Sequence, residues 1–344
     1  MSFGKFLVRR MFLGIFVVWG VITIMFGLRA VSPGDPATLM LAEGASRDLI
    51  ERVREIEGLN EPLYVQYYDY VSGIVVGDFG YSWQSSRQVE LMVIERVPAT
   101  LELAIAGTLV AVVIAIPLGV ISATRRNQPA DYGASLFSLL GISTPNFWLG
   151  LMLILILGVW AGLLPTGRRP FGMRVIVEQL VIVELENGLS VSAPLNVAAF
   201  LGAIWIYLQH IALPALTLGT YFTALITRLT RSGMIDELGK PYVTATEAKG
   251  LPGVLVRYKH VLRNTMIPIV TVIGLQMGTL MGGAVITETV FNWPGLGLRL
   301  IDALDARDWP LMQGIIVFIA IAFVVINIMV DALYTYLDPR VSAE

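Results

Sequence analysis

Six long apolar stretches, separated by segments rich in charge, glycine and proline, organise this 344-residue chain. They cover residues 11–31, 100–123, 134–164, 208–229, 266–289 and 313–337. A helix of about 20 apolar residues crosses a hydrocarbon core of roughly 30 Å, and each stretch reaches that length. The expected fold class is an all-α polytopic membrane protein with six transmembrane helices. Pro117, Pro145 and Pro214 interrupt the second, third and fourth stretches and predict kinks whose freed backbone groups neighbouring helices satisfy. A further apolar run, residues 175–183, is too short at about nine residues to span as a helix, and reads as strand or interfacial segment. Lys5, Arg9 and Arg10 precede the first stretch as they would a secretory signal. Its apolar run exceeds the roughly 7–15-residue core of such signals and no small-residue cleavage site is clear, so it reads as a retained span.

Charge then orients the spans. Lys and Arg in short loops stay on the cytoplasmic side. Lys5, Arg9 and Arg10 precede the first span, Arg125 and Arg126 follow the second, Arg228, Arg231, Lys240, Lys249, Arg257, Lys259 and Arg263 cluster between the fourth and fifth, and Arg340 follows the sixth. All four groups fall on one side, so both termini are expected in the cytoplasm. Residues 32–99 and 165–207 are then extracytoplasmic, and the mixed acids and arginines of the first suit a folded, partly helical loop. The expected organisation is residues 1–94 as first helix and extracytoplasmic loop, 95–337 as a membrane-spanning core with a cytoplasmic segment at 236–266, and 338–344 as a cytoplasmic tail.

Composition agrees: 56% of residues are hydrophobic and 15% charged, against roughly 25% charged in soluble domains. A net charge of -2 provides no basic field for nucleic acid. The absence of Cys excludes thiolate chemistry, and the two histidines, His210 and His260, are too few for a conventional zinc site. No Gly-x4-Gly-Lys-Ser/Thr pattern occurs, and Gly295-Leu296-Gly297 lacks the third glycine and preceding strand of a dinucleotide loop. No paired acids, His cluster or Ser-His arrangement sits in the spans, so no catalytic residue and no bound metal or cofactor is expected.

The most informative cytoplasmic segment is Thr244-Ala245-Thr246-Glu247-Ala248-Lys249-Gly250-Leu251 with its flanks, from Tyr242 to Pro252 and on through Arg263, Asn264 and Pro268. It reads as a short helix, a left-handed stop at Gly250, and a second helix with Pro252 in its first turn. Composition alone fits an ordinary amphipathic linker equally well. The segment resembles the coupling loop of binding-protein-dependent ABC importer permeases, and more narrowly the dipeptide, oligopeptide and nickel permease family. Further matching motifs run along nearly the whole chain in the same order: Pro33-Gly34-Asp35-Pro36, Arg96-Val97-Pro98-Ala99-Thr100-Leu101-Glu102-Leu103, Pro145-Asn146-Phe147-Trp148, Trp293-Pro294-Gly295-Leu296-Gly297 and Leu337-Asp338-Pro339-Arg340. Two departures stand out: Thr244-Ala245-Thr246 replaces the Glu-Ala-Ala of the general pattern, and the outside segment around residues 174–199 is longer than usual.

The resemblance implies a type I importer permease fold and a transport subunit that is not itself an enzyme. It implies ATP and Mg consumed by two cytoplasmic ATPase subunits, which dock on residues 244–251. It further implies a second homologous permease subunit forming a heterodimer, an extracytoplasmic substrate-binding protein, and residence in a prokaryotic cytoplasmic membrane. Peptide is the leading cargo, with nickel chelates and oligosaccharides as alternatives. An ion-coupled secondary transporter is the rival class; no acid is clearly placed mid-span and no inverted repeat is evident. Asn146, Gln276 and Asn327 are polar residues within spans, readable as translocation-path positions or as interhelical hydrogen-bonding groups.

Overall fold

The computed structural model describes residues 3–41, 45–172, 175–176, 183–186, 189–192 and 197–337. The first span is α1 (Phe3–Val31), followed by three cap helices, α2 (Pro36–Leu39), α3 (Arg47–Ile56) and α4 (Leu63–Val76). Ser46 caps α3 by accepting the Leu49 amide, and Gly77, at φ +85°, closes α4 in the left-handed conformation. α4 packs on α1 through its aromatic face: Tyr67 Oη lies 2.8 Å from Thr23 Oγ1, and the Tyr67 and Tyr70 rings meet Phe26.

The core is a pair of very long helices, α5 (Val89–Thr124) and α8 (Val197–Leu238). With a rise of about 1.5 Å per residue they are roughly 54 and 63 Å long, well beyond a bilayer's hydrocarbon thickness of about 30 Å. Sequence reading started the second span at residue 100; the helix begins eleven residues earlier, so residues 89–99 continue the span outward instead of belonging to the loop. Pro98 and Pro117 lie inside α5 and Pro214 inside α8 without ending either helix. Close approach of the pair rests on small residues. A Cβ on Gly119 would come 2.5 Å from Thr230 Cβ and 2.9 Å from the Thr227 carbonyl, and one on Gly219 would come 2.9 Å from the Gly107 carbonyl.

The third stretch is not one straight helix. α6 (Pro129–Ser143) and α7 (Asn146–Leu153) meet at 106°, with Pro145 at the break. Pro145 carries no amide donor and biases Thr144 to extended backbone, which is observed at ψ 123°. α7 continues as π-helix through Trp160. α9 (Pro241–Ala248) follows α8; α10 (Gly253–Leu255) runs through a π-helical turn at Val256–Val261 into α11 (Leu262–Gly283). The fifth stretch also breaks, because α11 ends at Gly283 and the separate α12 (Val285–Val290) follows it. α13 (Leu296–Asp305) and α14 (Trp309–Leu337) complete the chain. α14 packs against α1 and α11, while α6, α7 and α11 pack on α8.

Five helices among the described residues are long and apolar enough to cross a membrane, and the bent α6–α7 pair makes a sixth. β1 (Val183–Glu186) and β2 (Leu189–Ser192) form an antiparallel hairpin. Within the apolar run 175–183, residues 175–176 are helical and Val183 opens β1; residues 177–182, like the tail 338–344, lie outside the described residues. The strand thus sits at the end of the expected stretch and beyond it, where Val183, Leu185, Leu189 and Val191 alternate with polar residues.

Candidate functional site

The segment 241–251 forms a protruding knob at the end of α8. Pro241 occupies the first turn of α9, where its missing amide costs nothing. Lys249 ends the helix at ψ 1°, and Gly250 adopts φ +77°. Pro252 precedes α10 in extended conformation, ψ 133°, instead of entering the first turn. This follows from the reversal at Gly250, which delays the next helix.

One side of the knob is buried. Val243 is 3% exposed and packs with Val120, Ala123, Met234, Val256 and Val261, and Leu251 joins the same cluster. Thr244, Ala245, Glu247, Ala248, Lys249 and Gly250 all face outward, and Thr246 is half-buried with its hydroxyl donating to the Val243 carbonyl at 2.7 Å. No atom lies within 4 Å of a Cβ placed on Gly250, so its glycine identity answers to backbone conformation and not to crowding. The result is a small exposed surface on which Glu247 and Lys249 stand among short side chains.

Two polar hubs lie at this end, and sequence reading singled out neither of the carboxylates at their centres. Glu237, on the last turn of α8, accepts from Tyr242 Oη at 2.7 Å and pairs with Lys240; Asn264 Nδ2, at the start of α11, donates to Tyr242 Oη at 3.2 Å and lies 3.5 Å from Glu237 Oε2. Burial and the Glu237 carboxylate push the Tyr242 phenol pKa up, keeping it a donor. The second hub is Asp131, 3% exposed at the start of α6. Arg231 binds both its oxygens, at 2.7 and 2.8 Å; Ser122 Oγ donates at 2.5 Å and the Asn127 amide at 2.9 Å. One carboxylate thereby joins α5, α6 and α8. Only the arginine was visible from sequence, as one more loop cation.

The opposite end carries another buried carboxylate. Glu288 on α12 is 0% exposed; Thr100 Oγ1 donates to Oε1 at 2.8 Å and the Leu298 amide to Oε2 at 3.0 Å. The Thr100 hydroxyl also accepts the Leu296 amide at 2.8 Å, and Trp293 Nε1 donates to the Ala99 carbonyl at 2.8 Å. A Cβ on Gly295 would fall on the Glu288 carboxylate. These contacts explain why Trp293-Pro294-Gly295-Leu296-Gly297 and Pro98-Ala99-Thr100 occur in one chain: the two motifs interlock. Nearby, Arg169 binds both oxygens of Glu102, at 2.9 and 2.6 Å, and Tyr207 Oη donates to Glu102 at 2.6 Å, tying the outer loop to α5 and α8.

The three expected path residues do not converge as a set. Asn146 opens α7 beside the 106° bend, and α7 packs on α8 and α12. Gln276 lies on α11, where its Oε1 accepts from Thr279 Oγ1 at 3.0 Å; Asn327 on α14 donates to the Phe323 carbonyl at 2.9 Å. Asn327 faces α11, since a Cβ on Gly278 would lie 3.7 Å from Asn327 Nδ2. Among the described residues no group of three or more His, Cys, Asp or Glu could hold a metal ion.

Residues 115–343 match the family described as the binding-protein-dependent transport system inner membrane component, and residues 3–104 match its N-terminal domain. The chain belongs to this family. It is therefore a multi-pass inner-membrane permease subunit. The permease is 38% identical over 344 residues to the dipeptide transport system permease protein DppB of Escherichia coli (strain K12), covering 98% of both chains. It is 36% identical over 339 residues to the oligopeptide transport system permease protein AppB of Bacillus subtilis (strain 168), covering 98% of this chain and 99% of that one. It is 36% identical over 338 residues to the glutathione transport system permease protein GsiC of Escherichia coli O1:K1 / APEC, covering 98% of each. Among solved structures, the inward-facing MetNI methionine ABC transporter matches with TM-score 0.51 at 16% identity, over 72% of the permease and 96% of that chain. That likeness concerns the fold, and it is the type I importer permease fold.

Proposed function

We propose that the permease is one of two membrane subunits of an ATP-driven importer and carries dipeptides and oligopeptides into the cytoplasm. The observation that carries the cargo reading is the 38% identity, over 98% of both chains, to a dipeptide permease. In this reading both termini are cytoplasmic, since Lys5, Arg9, Arg10, Arg125, Arg126 and the 228–263 cations share one side. The chain itself binds no nucleotide. Two cytoplasmic ATPase subunits use ATP and Mg and receive α9 and Gly250 in a surface cleft; closure of the ATPase pair moves the knob. Because Glu237, Tyr242 and Asn264 link the knob to α8 and α11, that displacement passes to the span ends instead of being absorbed in a flexible loop. An extracytoplasmic binding protein delivers the peptide at the face formed by the cap helices and the α12–α13 wall, and a homologous permease subunit completes the path as a heterodimer.

The test is the ATPase activity of the complex, purified with its co-expressed partners, with and without a peptide-loaded receptor. Stimulation by loaded receptor is expected. A stable complex that ignores peptide but responds to a nickel chelate or an oligosaccharide would overturn the cargo, and failure to assemble with any ATPase would overturn the coupling role.

A further inference from the structure

A cavity of about 600 Å³ opens where the C-terminal end of α1, the cap helices and the loop at residues 78–86 meet the first residues of α14. Ligand sites commonly enclose roughly 300–1,000 Å³. Two polar groups on its wall are under-used. Among the described residues the buried Tyr70 hydroxyl has no hydrogen-bond partner. The half-buried Arg29 guanidinium lies over the Phe26 ring, 5.7 Å from its centroid, makes one long hydrogen bond, 3.5 Å to Gln66 Oε1, and among the described residues forms no ion pair. A guanidinium offers five N–H donors, and a partly desolvated charge is stable when an anion or acceptors meet it. Burial pushes the Tyr70 phenol up, so it remains a donor to any acceptor that enters.

The rim has the opposite character. Glu57, Asp69 and Asp78 are exposed carboxylates lining the mouth, and Trp83 supplies an aromatic wall. Asp78 Oδ1 accepts the Gly80 amide at 2.9 Å, which fixes its direction.

We propose that this cavity is a binding site for a short zwitterionic peptide, with the α-carboxylate held by Arg29 and Tyr70 and the α-ammonium by the acidic rim. It lies on the cap outside the helix bundle, so it would hold peptide beside the permeation path. The inference deepens the peptide-import reading and rests on it. A phosphoethanolamine headgroup shares the charge pattern, but a two- or three-residue peptide fills a volume of this size more fully.

The experiment is calorimetric titration of the full complex in nanodiscs of phosphatidylglycerol alone, without receptor or ATP, using dialanine, its C-terminal amide and its N-acetyl form. Saturable binding of dialanine is expected, weakened about tenfold by either block, the loss of one charge-assisted contact. Arg29→Gln should weaken dialanine about tenfold and erase the difference between acid and amide, and Asp69→Asn should reduce the penalty for acetylation. Arg29→Lys, which keeps the charge, should restore part of the affinity, and co-purification with the ATPase reports intact folding. Absence of saturable binding, equal binding of acid and amide, or an unaffected Arg29→Gln variant would overturn the site; displacement by phosphoethanolamine lipid but not by peptide would assign it to a headgroup. Loss of receptor-stimulated transport with dialanine binding intact would instead strike the import reading, so the two failures read differently.

Discussion

At the level of single residues, Asp131, Glu237 and Glu288 tie the helices together, each accepting bonds from two or more elements. Glu288 accepts from the Thr100 hydroxyl on one oxygen and the Leu298 amide on the other, so Glu288→Ala leaves that buried amide without its acceptor. A buried donor left without an acceptor costs about 1–3 kcal/mol. The expected outcome is a lower unfolding temperature with assembly retained, checked by thermal unfolding in detergent. Asp131→Ala removes the partner of Arg231 along with the Ser122 and Asn127 bonds. Breaking a buried pair costs about 3–5 kcal/mol, and because Arg231 is 30% exposed the lower end applies. A sharp fall in folded yield, larger than that of Arg231→Ala, is expected by size-exclusion profile, since in the arginine deletion Ser122 and Asn127 still satisfy the carboxylate.

At the level of elements, helix ends and close approaches are the sensitive features. Gly250 stands at φ +77° in open space, so Gly250→Ala and Gly250→Val differ in backbone strain alone. A β-branched residue in the left-handed region costs of order 1–3 kcal/mol. Gly250→Val is expected to keep membrane insertion and lose most peptide uptake, while Gly250→Asn, which tolerates that region, retains it; uptake in cells lacking other importers distinguishes the two. Gly119 is the contrary case, with helical backbone and no room. A leucine there must push α5 off Thr230 and Thr227, so Gly119→Leu should abolish folded protein, whereas Gly202→Leu on the same helix pair, with nothing within 4 Å, should be silent in expression level.

At the scale of the molecule, the permease is a bundle centred on α5 and α8, with the knob at one end and a capped, interlocked wall at the other. The chain has no native cysteine, so single introduced cysteines report sidedness without background. Cysteine at Glu57 should react with a membrane-impermeant maleimide in intact cells, and cysteine at Arg126 or Lys249 only after permeabilisation. Labelling at Arg126 and Lys249 in intact cells, with Glu57 reacting only after permeabilisation, would invert the proposed topology.

The apolar runs determined that the chain spans a membrane and roughly where, because transfer of some 20 apolar residues into hydrocarbon outweighs any local preference. The glycine turn of the knob was equally legible, because left-handed backbone is a local demand answered by one residue. Tertiary structure decided the rest. The 106° break at Pro145 could not be told from a mild kink, since proline permits both and only neighbouring helices choose. The start of α5 at Val89 lay hidden because helix continues beyond the hydrocarbon wherever packing supports it. The partners of Asp131, Glu237 and Glu288 depend on which side chains the fold brings within about 3 Å, a matter of three-dimensional proximity between residues as much as 188 positions apart, which no local pattern encodes.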